Sequence, residues 1–293
     1  MVIHADYPYP VRRVFLEGGP QLAYIEVGKG PATLLFVHGI TSYLPVWSRN
    51  IDILQKYYRC IALDLPGHGL SEIADFDYSQ AFYRQVLEKF IEKLGLSSFI
   101  LVGHSMGGQI SIHLALHRPE LVQHLVLVAP AGFETFSETE KFMLEQFVAA
   151  GMLAGSQYLR SLLNLKNYFH NLSEAEYTKL REFSRDFYSL HDNPFLPQVL
   201  ARSTQGMLQA PVFAQLKDLQ MPVLVLFGQN DQLIPNRLLH PGKTADIAQA
   251  GTKQIPRAQL KLYDQCGHFL QYERAARFNI DLYKFLNPQV FGE

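Results

Sequence analysis

The sequence predicts an α/β fold in which helices cover both faces of a doubly wound, mostly parallel sheet. Short, continuously apolar runs alternate along the chain with segments whose apolar side chains recur at helical spacing. Strands covered on both faces are apolar without alternation, and repeated strand–helix–strand order is typical of parallel sheets. The predicted strands are Val11–Leu16, Gln21–Val27, Thr33–Val37, Cys60–Leu63, Phe99–Val102, Leu125–Ala129, Val223–Phe227 and Lys261–Tyr263.

Three helices are predicted beside these strands. Residues Tyr78–Leu94 carry apolar side chains at helical spacing and are followed by Gly95, a residue type that favours helix termination. The same spacing predicts helices over Gly107–His117 and Arg274–Leu286. The first two lie between successive strands, where a parallel sheet needs a crossover.

The connection between the sixth and seventh predicted strands is much longer than one crossover. It spans residues 130–222, and long connections in compact domains usually carry a structure or function of their own. We therefore expect a core domain of residues 1–130 and 222–293 and a helical cap (lid) domain of residues 131–221. The helical signals in the connection are the capping boxes Ser137–Glu140 and Ser173–Glu176 and the patterns Ala154–Leu163 and Phe195–Leu208.

Composition places the chain among globular proteins and excludes several other classes. It has 293 residues, of which 48% are hydrophobic and 18% charged, and its formal net charge is −1. This composition excludes disorder, disfavours a nucleic-acid partner, and includes no apolar run of the roughly 20 residues that span a membrane. The first residues lack a signal-peptide pattern, and two cysteines, Cys60 and Cys266, are too few for a disulfide framework. A cytoplasmic location is the resulting expectation.

The most specific motif is Gly103-His104-Ser105-Met106-Gly107, directly between a predicted strand and a predicted helix. It fits the G-x-S-x-G pattern, in which a sharp strand-to-helix turn exposes a serine hydroxyl. The two glycines let the neighbouring backbone pass close to the turn, and His104 is expected to point away from Ser105. A plain glycine-rich turn is the alternative. A phosphate loop is disfavoured because both G-x-G-x-x-G and G-K-[ST] are missing.

Asp231 and His268 are the predicted partners of Ser105. A serine nucleophile needs a general base, and that base needs an acid to orient it. Asp231 follows the strand Val223–Phe227 and His268 follows Lys261–Tyr263. Both therefore lie at the carboxyl ends of strands, where the loops of an open parallel sheet converge. Either residue alone could be an ordinary loop residue, but the order serine, acid, histidine predicts a catalytic triad.

Two backbone N–H groups are expected to bind the oxyanion that develops during acyl transfer. One belongs to Met106, the residue after the serine. The other is assigned to Ile40, in the loop that follows the third strand, because Gly39 gives this loop freedom to turn an N–H inward.

Together these segments resemble the α/β-hydrolase superfamily. The resemblance rests on His38-Gly39, Asp64–Ser71, Gly103–Gly108, Gly228–Asp231 and Gly267-His268, which span almost the whole chain. It implies an eight-stranded sheet with a helical cap inserted after the sixth strand, a triad of Ser105, Asp231 and His268, and chemistry that requires no metal or organic cofactor. The most similar group contains lidded esterases and meta-cleavage-product C–C hydrolases. Dehalogenases and epoxide hydrolases share the fold but use an aspartate nucleophile.

The primary hypothesis is a serine hydrolase that cleaves a small or medium, largely apolar carboxylic ester through an acyl-enzyme. The same triad could instead cleave a C–C bond in a vinylogous diketone acid, whose carboxylate would require an arginine in the pocket. The candidate arginines are Arg160, Arg181, Arg185 and Arg202. A ligand-binding protein that keeps the fold without catalysis is the third hypothesis. The expected partner is a small molecule, and the sequence leaves the oligomeric state open.

Overall fold

An eight-stranded sheet runs through the computed structural model, which describes residues 7–153, 168–170, 172–173, 176 and 195–291. The strands are β1 (Arg12–Phe15), β2 (Gln21–Val27), β3 (Thr33–Val37), β4 (Arg59–Leu63), β5 (Phe99–His104), β6 (Val122–Val128), β7 (Val223–Gly228) and β8 (Ala258–Tyr263). They lie in the order β1-β2-β4-β3-β5-β6-β7-β8. β2 is antiparallel to both β1 and β4, and all other neighbours are parallel. The predicted mostly parallel sheet is confirmed.

Burial explains which strands the apolar pattern predicted well. β5 and β7 are buried along their whole length, so their sequences are continuously apolar. β8 lies at the edge of the sheet and its residues alternate in exposure, so only its second half was predicted. β6 begins at Val122, three residues earlier than predicted. The prediction missed this start because the polar residues Gln123 and His124 interrupt the apolar run.

Helices connect and flank these strands. α2 begins after Ser79, whose side chain accepts the N–H of Phe82 at 3.1 Å, and the helix therefore starts two residues later than predicted. The helices are α1 (Ser48–Leu54), α2 (Gln80–Lys93), α3 (Met106–His117), α4 (Glu138–Leu153), α5 (Leu196–Gln209), α6 (Thr244–Gln254), α7 (Leu270–Glu273), α8 (Ala275–Leu286) and α9 (Pro288–Phe291). Short 3₁₀ turns cover Leu44–Trp47, Pro119–Leu121 and Phe213–Asp218.

The long β6–β7 connection contains α4 and α5. Both predicted capping boxes form: Ser137 N–H donates to Glu140 Oε2 at 2.7 Å, and Ser173 N–H donates to Glu176 Oε2 at 3.0 Å. The pattern Phe195–Leu208 corresponds to α5, whereas Ala154–Leu163 lies outside the described residues. The division of the chain into a core and a cap domain stays a prediction.

None of the helices in the described parts of the chain combines the length and the apolar character that a bilayer crossing demands.

Candidate active site

Ser105 occupies a strained turn between β5 and α3. Its backbone has φ 54° and ψ −119°, outside the regions that residues other than glycine readily adopt. The turn is held on both sides: Ser105 N–H donates to Val128 O at 2.9 Å, and Ser105 O accepts the N–H of Ala131 at 3.0 Å. Both partners belong to β6 or the residues just after it. The sharp turn predicted from G-x-S-x-G is therefore present, and its geometry is fixed by the neighbouring strand.

The loop after β3 lies directly against this turn. A β-carbon at Gly39 would stand 2.9 Å from Cβ of Ser105, a distance that real side chains do not tolerate. A β-carbon at Gly107 would collide with the carbonyl oxygens of Val37 and His38. Glycine at both positions is thus required for the close approach of the two segments, which places Ile40 beside Ser105.

Both predicted oxyanion donors are free for an external acceptor within the described residues. The N–H of Ile40 donates no hydrogen bond there. Met106 is the first residue of α3, a position whose N–H has no acceptor inside its own helix. The positive end of the α3 dipole also lies at this point, which favours a developing negative charge.

His38 holds the loop that follows β3, which carries the predicted oxyanion donor Ile40, through contacts that the sequence did not reveal. Its Nε2 accepts the N–H of Leu65 at 2.9 Å, so its Nδ1 carries the proton and donates to Gly39 O at 2.7 Å. Burial lowers the pKa of His38 well below its ordinary value, which keeps the ring neutral. This hydrogen bond fixes the carbonyl of Gly39. Because that carbonyl and the N–H of Ile40 belong to the same planar peptide unit, it also fixes the direction of the N–H.

Asp231 and His268 form a buried hydrogen-bonded pair at the ends of β7 and β8. Nδ1 of His268 lies 2.7 Å from Oδ2 of Asp231, and the side chains are 2% and 0% exposed. Oδ1 of Asp231 accepts the N–H groups of Leu233 and Ile234 at 2.8 and 3.1 Å. The carboxylate thus makes these three hydrogen bonds, and the imidazole is held through Nδ1 with Nε2 as its other nitrogen.

Ser105 is not hydrogen-bonded to that histidine. Its Oγ makes no hydrogen bond within the described part of the chain, although its turn adjoins the residues that pack on His268. Contacts of this kind are often loose in free enzymes and tighten when substrate binds. The structure thus joins Asp231 to His268 by a hydrogen bond and places Ser105 against the loop that follows β3, while the serine–histidine contact stays a prediction.

His104 packs against the histidine of the pair. Its ring centroid lies 4.8 Å from that of His268, and its Nε2 donates to the backbone carbonyl of His268 at 3.1 Å. Burial lowers the pKa of His104 well below its ordinary value, so this ring is a neutral hydrogen-bond donor. His104 was expected only to point away from Ser105; its role as a support for His268 depends on a contact across 164 positions.

Tyr168, from the β6–β7 connection, also contacts His268. Its carbonyl accepts the N–H groups of His268 and Phe269 at 2.8 and 3.3 Å. Its side chain is buried and hydrogen-bonds Thr41, the residue after Ile40. Phe169, the next residue, stacks on Phe269 at 5.1 Å. Aromatic side chains of the connection thus lie next to both predicted catalytic loops.

Arg202 is the one candidate pocket arginine within the described residues. Its guanidinium is paired with Asp75 at 2.6 Å and is partly exposed. It is therefore engaged by an exposed carboxylate. Arg160, Arg181 and Arg185 lie outside the described residues. Within the described ranges, no cluster of three or more His, Cys, Asp or Glu side chains has metal-binding geometry.

The sheet order, the strained serine turn after β5 and the acid–histidine pair after β7 and β8 are those of a doubly wound α/β enzyme. The family model described as alpha/beta hydrolase fold matches residues 32–275, and the chain belongs to this family. The predicted α/β-hydrolase fold is confirmed, and the protein is a hydrolase of this class.

Relatives with different substrates resemble the chain to a similar degree. It is 31% identical over 251 residues to a 2-hydroxymuconate semialdehyde hydrolase from Pseudomonas sp. strain CF600, covering 84% of this chain and 83% of the relative. It is 29% identical over 252 residues to a pimeloyl-[acyl-carrier protein] methyl ester esterase from Nitrosomonas europaea, covering 82% and 90%. A probable hydrolytic enzyme from Pseudomonas aeruginosa PAO1 has a similar crystal structure, with a TM-score of 0.79, 26% identity and coverage of 96% and 95%.

Proposed function

We propose that the protein is a serine hydrolase that cleaves a small or medium, largely apolar carboxylic ester through an acyl-enzyme. The observation that carries this proposal is the buried 2.7 Å contact between Asp231 and His268 at the same sheet edge as the strained turn of Ser105. Free N–H groups beside that turn supply the second requirement of acyl transfer, a site for the oxyanion. The aromatic rings of Tyr168, Phe169 and Phe269 beside His268 favour an apolar acyl group.

Each proposed catalytic residue has one role in this reaction. Oγ of Ser105 attacks the ester carbonyl carbon as its proton passes to Nε2 of His268, and Asp231 stabilises the imidazolium through Nδ1. The N–H groups of Ile40 and Met106 hold the tetrahedral oxyanion. When the intermediate collapses, the proton on Nε2 moves to the departing alkoxide and the alcohol leaves. Water then attacks the acyl-enzyme, its proton passing to Nε2 and on to Ser105, and the carboxylic acid is released.

We propose further that residues 131–221 form a helical cap over this site. The support is the position of Tyr168 and Phe169, which belong to the β6–β7 connection and contact His268 and Phe269. A cap in this position would define the shape of the acyl pocket and so the range of esters accepted.

Replacement of Ser105 by alanine tests the nucleophile. We expect the Ser105→Ala variant to lose at least 10³-fold in kcat on a chromogenic short-chain ester, because no acyl-enzyme can form. Its free energy of unfolding should stay near that of the wild type, since one hydroxyl without a hydrogen bond is removed. Turnover is measured together with covalent labelling by a fluorophosphonate probe, which should mark the wild type and not the variant.

Ser97→Ala is the matched control for this experiment. Ser97 is exposed and lies before β5, at the opposite end of the strand from Ser105. Its replacement should leave both turnover and labelling unchanged. Ester turnover retained by Ser105→Ala would contradict the serine mechanism.

C–C bond hydrolysis is the second candidate function. It is favoured by the 31% identity to the 2-hydroxymuconate semialdehyde hydrolase and uses the same proposed triad. A panel of esters of increasing acyl length, run beside a vinylogous diketone acid, separates the two candidates. Faster turnover of the diketone acid would favour the C–C reaction, and faster turnover of the esters would favour the primary proposal.

A further inference from the structure

Glu273, at the end of α7, binds three donors around the loop that carries His268. Its Oε2 accepts the N–H of Gly267 at 2.5 Å and the thiol of Cys266 at 3.4 Å. Burial, reinforced by the Glu273 charge, raises the pKa of Cys266 well above its ordinary value, which keeps this thiol protonated as a donor. The two residues that precede His268 are therefore held by one carboxylate oxygen.

The other oxygen of the same carboxylate holds the β6–β7 connection. Oε1 of Glu273 accepts the N–H of His170 at 2.7 Å. Two residues earlier, the carbonyl of Tyr168 accepts the N–H groups of His268 and Phe269. Glu273 and Tyr168 thus link the same two segments, one on each side of His268, in a closed ring of hydrogen bonds.

We infer that Glu273 is a positioning residue for His268, which it orients through Gly267 and through the connection segment 168–170. This inference rests on the proposed function of His268 as the general base. The imidazole is held by its ring bond to Asp231 and by its backbone, and Glu273 controls the backbone on the N-terminal side. Charge-assisted hydrogen bonds from backbone N–H groups are short and directional, so this carboxylate fixes the loop more tightly than a neutral group would.

The geometry explains why a small change at Glu273 should affect catalysis. The free Nε2 of His268 must reach both the serine hydroxyl and the leaving group, and a displacement of 1 Å can cost about 100-fold in rate. A glutamine at this position would present an NH₂ group to one of two N–H donors, because only one of its side-chain atoms accepts. One of the two N–H groups, that of Gly267 or that of His170, would then lose its acceptor. The loop that carries His268 would shift, and the imidazole would shift with it.

The test compares Glu273→Gln with Glu273→Asp. Glutamine keeps the size and removes the charge, whereas aspartate keeps the charge and cannot span both donors. We expect kcat on the chosen ester to fall by about 10-fold or more in both variants, with KM changed by less than about threefold. In Glu273→Asp, which keeps the negative charge, we also expect the acidic limb of the kcat/KM profile to move to lower pH, because Asp231 stabilises the imidazolium less when His268 is displaced.

Three outcomes would overturn the inference. Wild-type kcat in both variants, at a temperature where circular dichroism shows them folded, would mean that Glu273 only stabilises the structure. Wild-type kcat in Glu273→Asp with loss in Glu273→Gln would mean that its charge acts and its position does not. A rise in KM alone would assign it to substrate binding.

The Ser105→Ala variant separates this inference from the proposed function. If Ser105→Ala retains turnover, the proposed function fails, and the positioning role of Glu273 fails with it because that role rests on His268 as the general base. If Ser105→Ala is inactive and both Glu273 variants match the wild type, only the positioning role fails. Glu120→Gln is the control, since Glu120 is exposed, pairs with Arg118 and lies before β6, at the opposite end of the sheet; its kcat and pH profile should match the wild type.

Discussion

Three histidines lie together at the site, and their surroundings differ in whether they can stabilise a positively charged ring. His38 and His104 are both buried, and burial lowers the pKa of each well below its ordinary value. Each therefore serves as a neutral, directional hydrogen-bonding group for a neighbouring backbone segment. His268 alone of the three faces a carboxylate, that of Asp231, which can stabilise an imidazolium. We therefore propose His268 as the residue that transfers the proton, while the other two rings position neighbouring backbone segments.

Replacement of Asp231 by asparagine tests the acid of the proposed triad. An asparagine can present its NH₂ group to Nδ1 and so favour the wrong tautomer, with the proton on Nε2. We expect the Asp231→Asn variant to lose about 10³–10⁴-fold in kcat while KM changes little. Steady-state kinetics on the ester give both values.

Asp218→Asn is the matched control for this variant. Asp218 is exposed on the 3₁₀ turn Phe213–Asp218, before β7, and its replacement should not alter kcat. A loss of less than tenfold in Asp231→Asn would argue that Asp231 holds the loop after β7 without orienting the base.

At the scale of elements, a histidine joins the start of α4 to the loop that follows β7. Nδ1 of His240 lies 2.5 Å from Oε1 of Glu134, and its Nε2 lies 3.2 Å from Oε1 of Glu140, in the first turn of α4. Both oxygens of Glu134 also accept the N–H of Asn236. The beginning of the β6–β7 connection is thus tied to the segment that carries Asp231.

This contact predicts a pH-dependent contribution to stability. The hydrogen bond to Glu134 raises the pKa of His240, and burial raises the pKa of Glu134, so the folded protein binds protons more tightly than the unfolded chain at both groups. The contribution of His240 is then complete below its ordinary value near 6.5 and is lost as pH rises through the raised value. We expect wild type to exceed His240→Gln in free energy of unfolding by about 0.5–1 kcal/mol more at pH 6 than at pH 8.5.

Urea denaturation of both proteins at the two pH values measures this difference. His117→Gln serves as the control, because His117 is exposed and its nearest carboxylate, that of Glu88, lies 3.7 Å away. A gap between wild type and His240→Gln that is the same at pH 6 and pH 8.5 would contradict the predicted linkage.

The sequence predicted best the elements that are buried along their whole length. β5 and β7 are covered on both faces, and continuous apolar runs mark them. α6 was not predicted, because only three of its residues are buried and its sequence has no clear apolar stripe. The first half of β8 was missed for a related reason, since an edge strand alternates in exposure.

The residues of the candidate site also fall into two groups, those that a local sequence pattern could predict and those that it could not. Ser105, Asp231 and His268 could be proposed because each directly follows an apolar strand, and strand ends converge at one edge of a parallel sheet. Glu273 could not, since its partner His170 is 103 positions away and no local pattern records that contact. Glutamate at a helix end reads as an ordinary surface residue until the loops that meet there are known.

At the scale of the whole molecule, stability depends on the central strands more than on the edge. Leu101 on β5 is fully buried and lies opposite Leu35 of β3 and Leu125 of β6. We expect Leu101→Ala to lower the free energy of unfolding by about 2–5 kcal/mol, because it removes buried methyl groups and leaves a cavity between two neighbours. Denaturant unfolding followed by circular dichroism provides the measurement.

Phe15→Ala is the control for that substitution. Phe15 lies on the edge strand β1 and is 71% exposed, so its replacement should change the free energy of unfolding by less than about 0.5 kcal/mol. Equal losses in the two variants would mean that the centre of the sheet does not dominate its stability.

The order of the strands has a consequence for synthesis on the ribosome. The strained serine and both proposed oxyanion donors lie in the first half of the chain, whereas the proposed acid and base lie in the loops after β7 and β8. Chains are synthesised from the N-terminus, so more than a hundred further residues are added after β5 before His268 is reached. The proposed nucleophile is therefore synthesised long before the two residues that are proposed to activate it. Under the proposed mechanism, hydrolysis requires the last two strands of the sheet and the loops that follow them, so a nascent chain that lacks them is expected to be inactive.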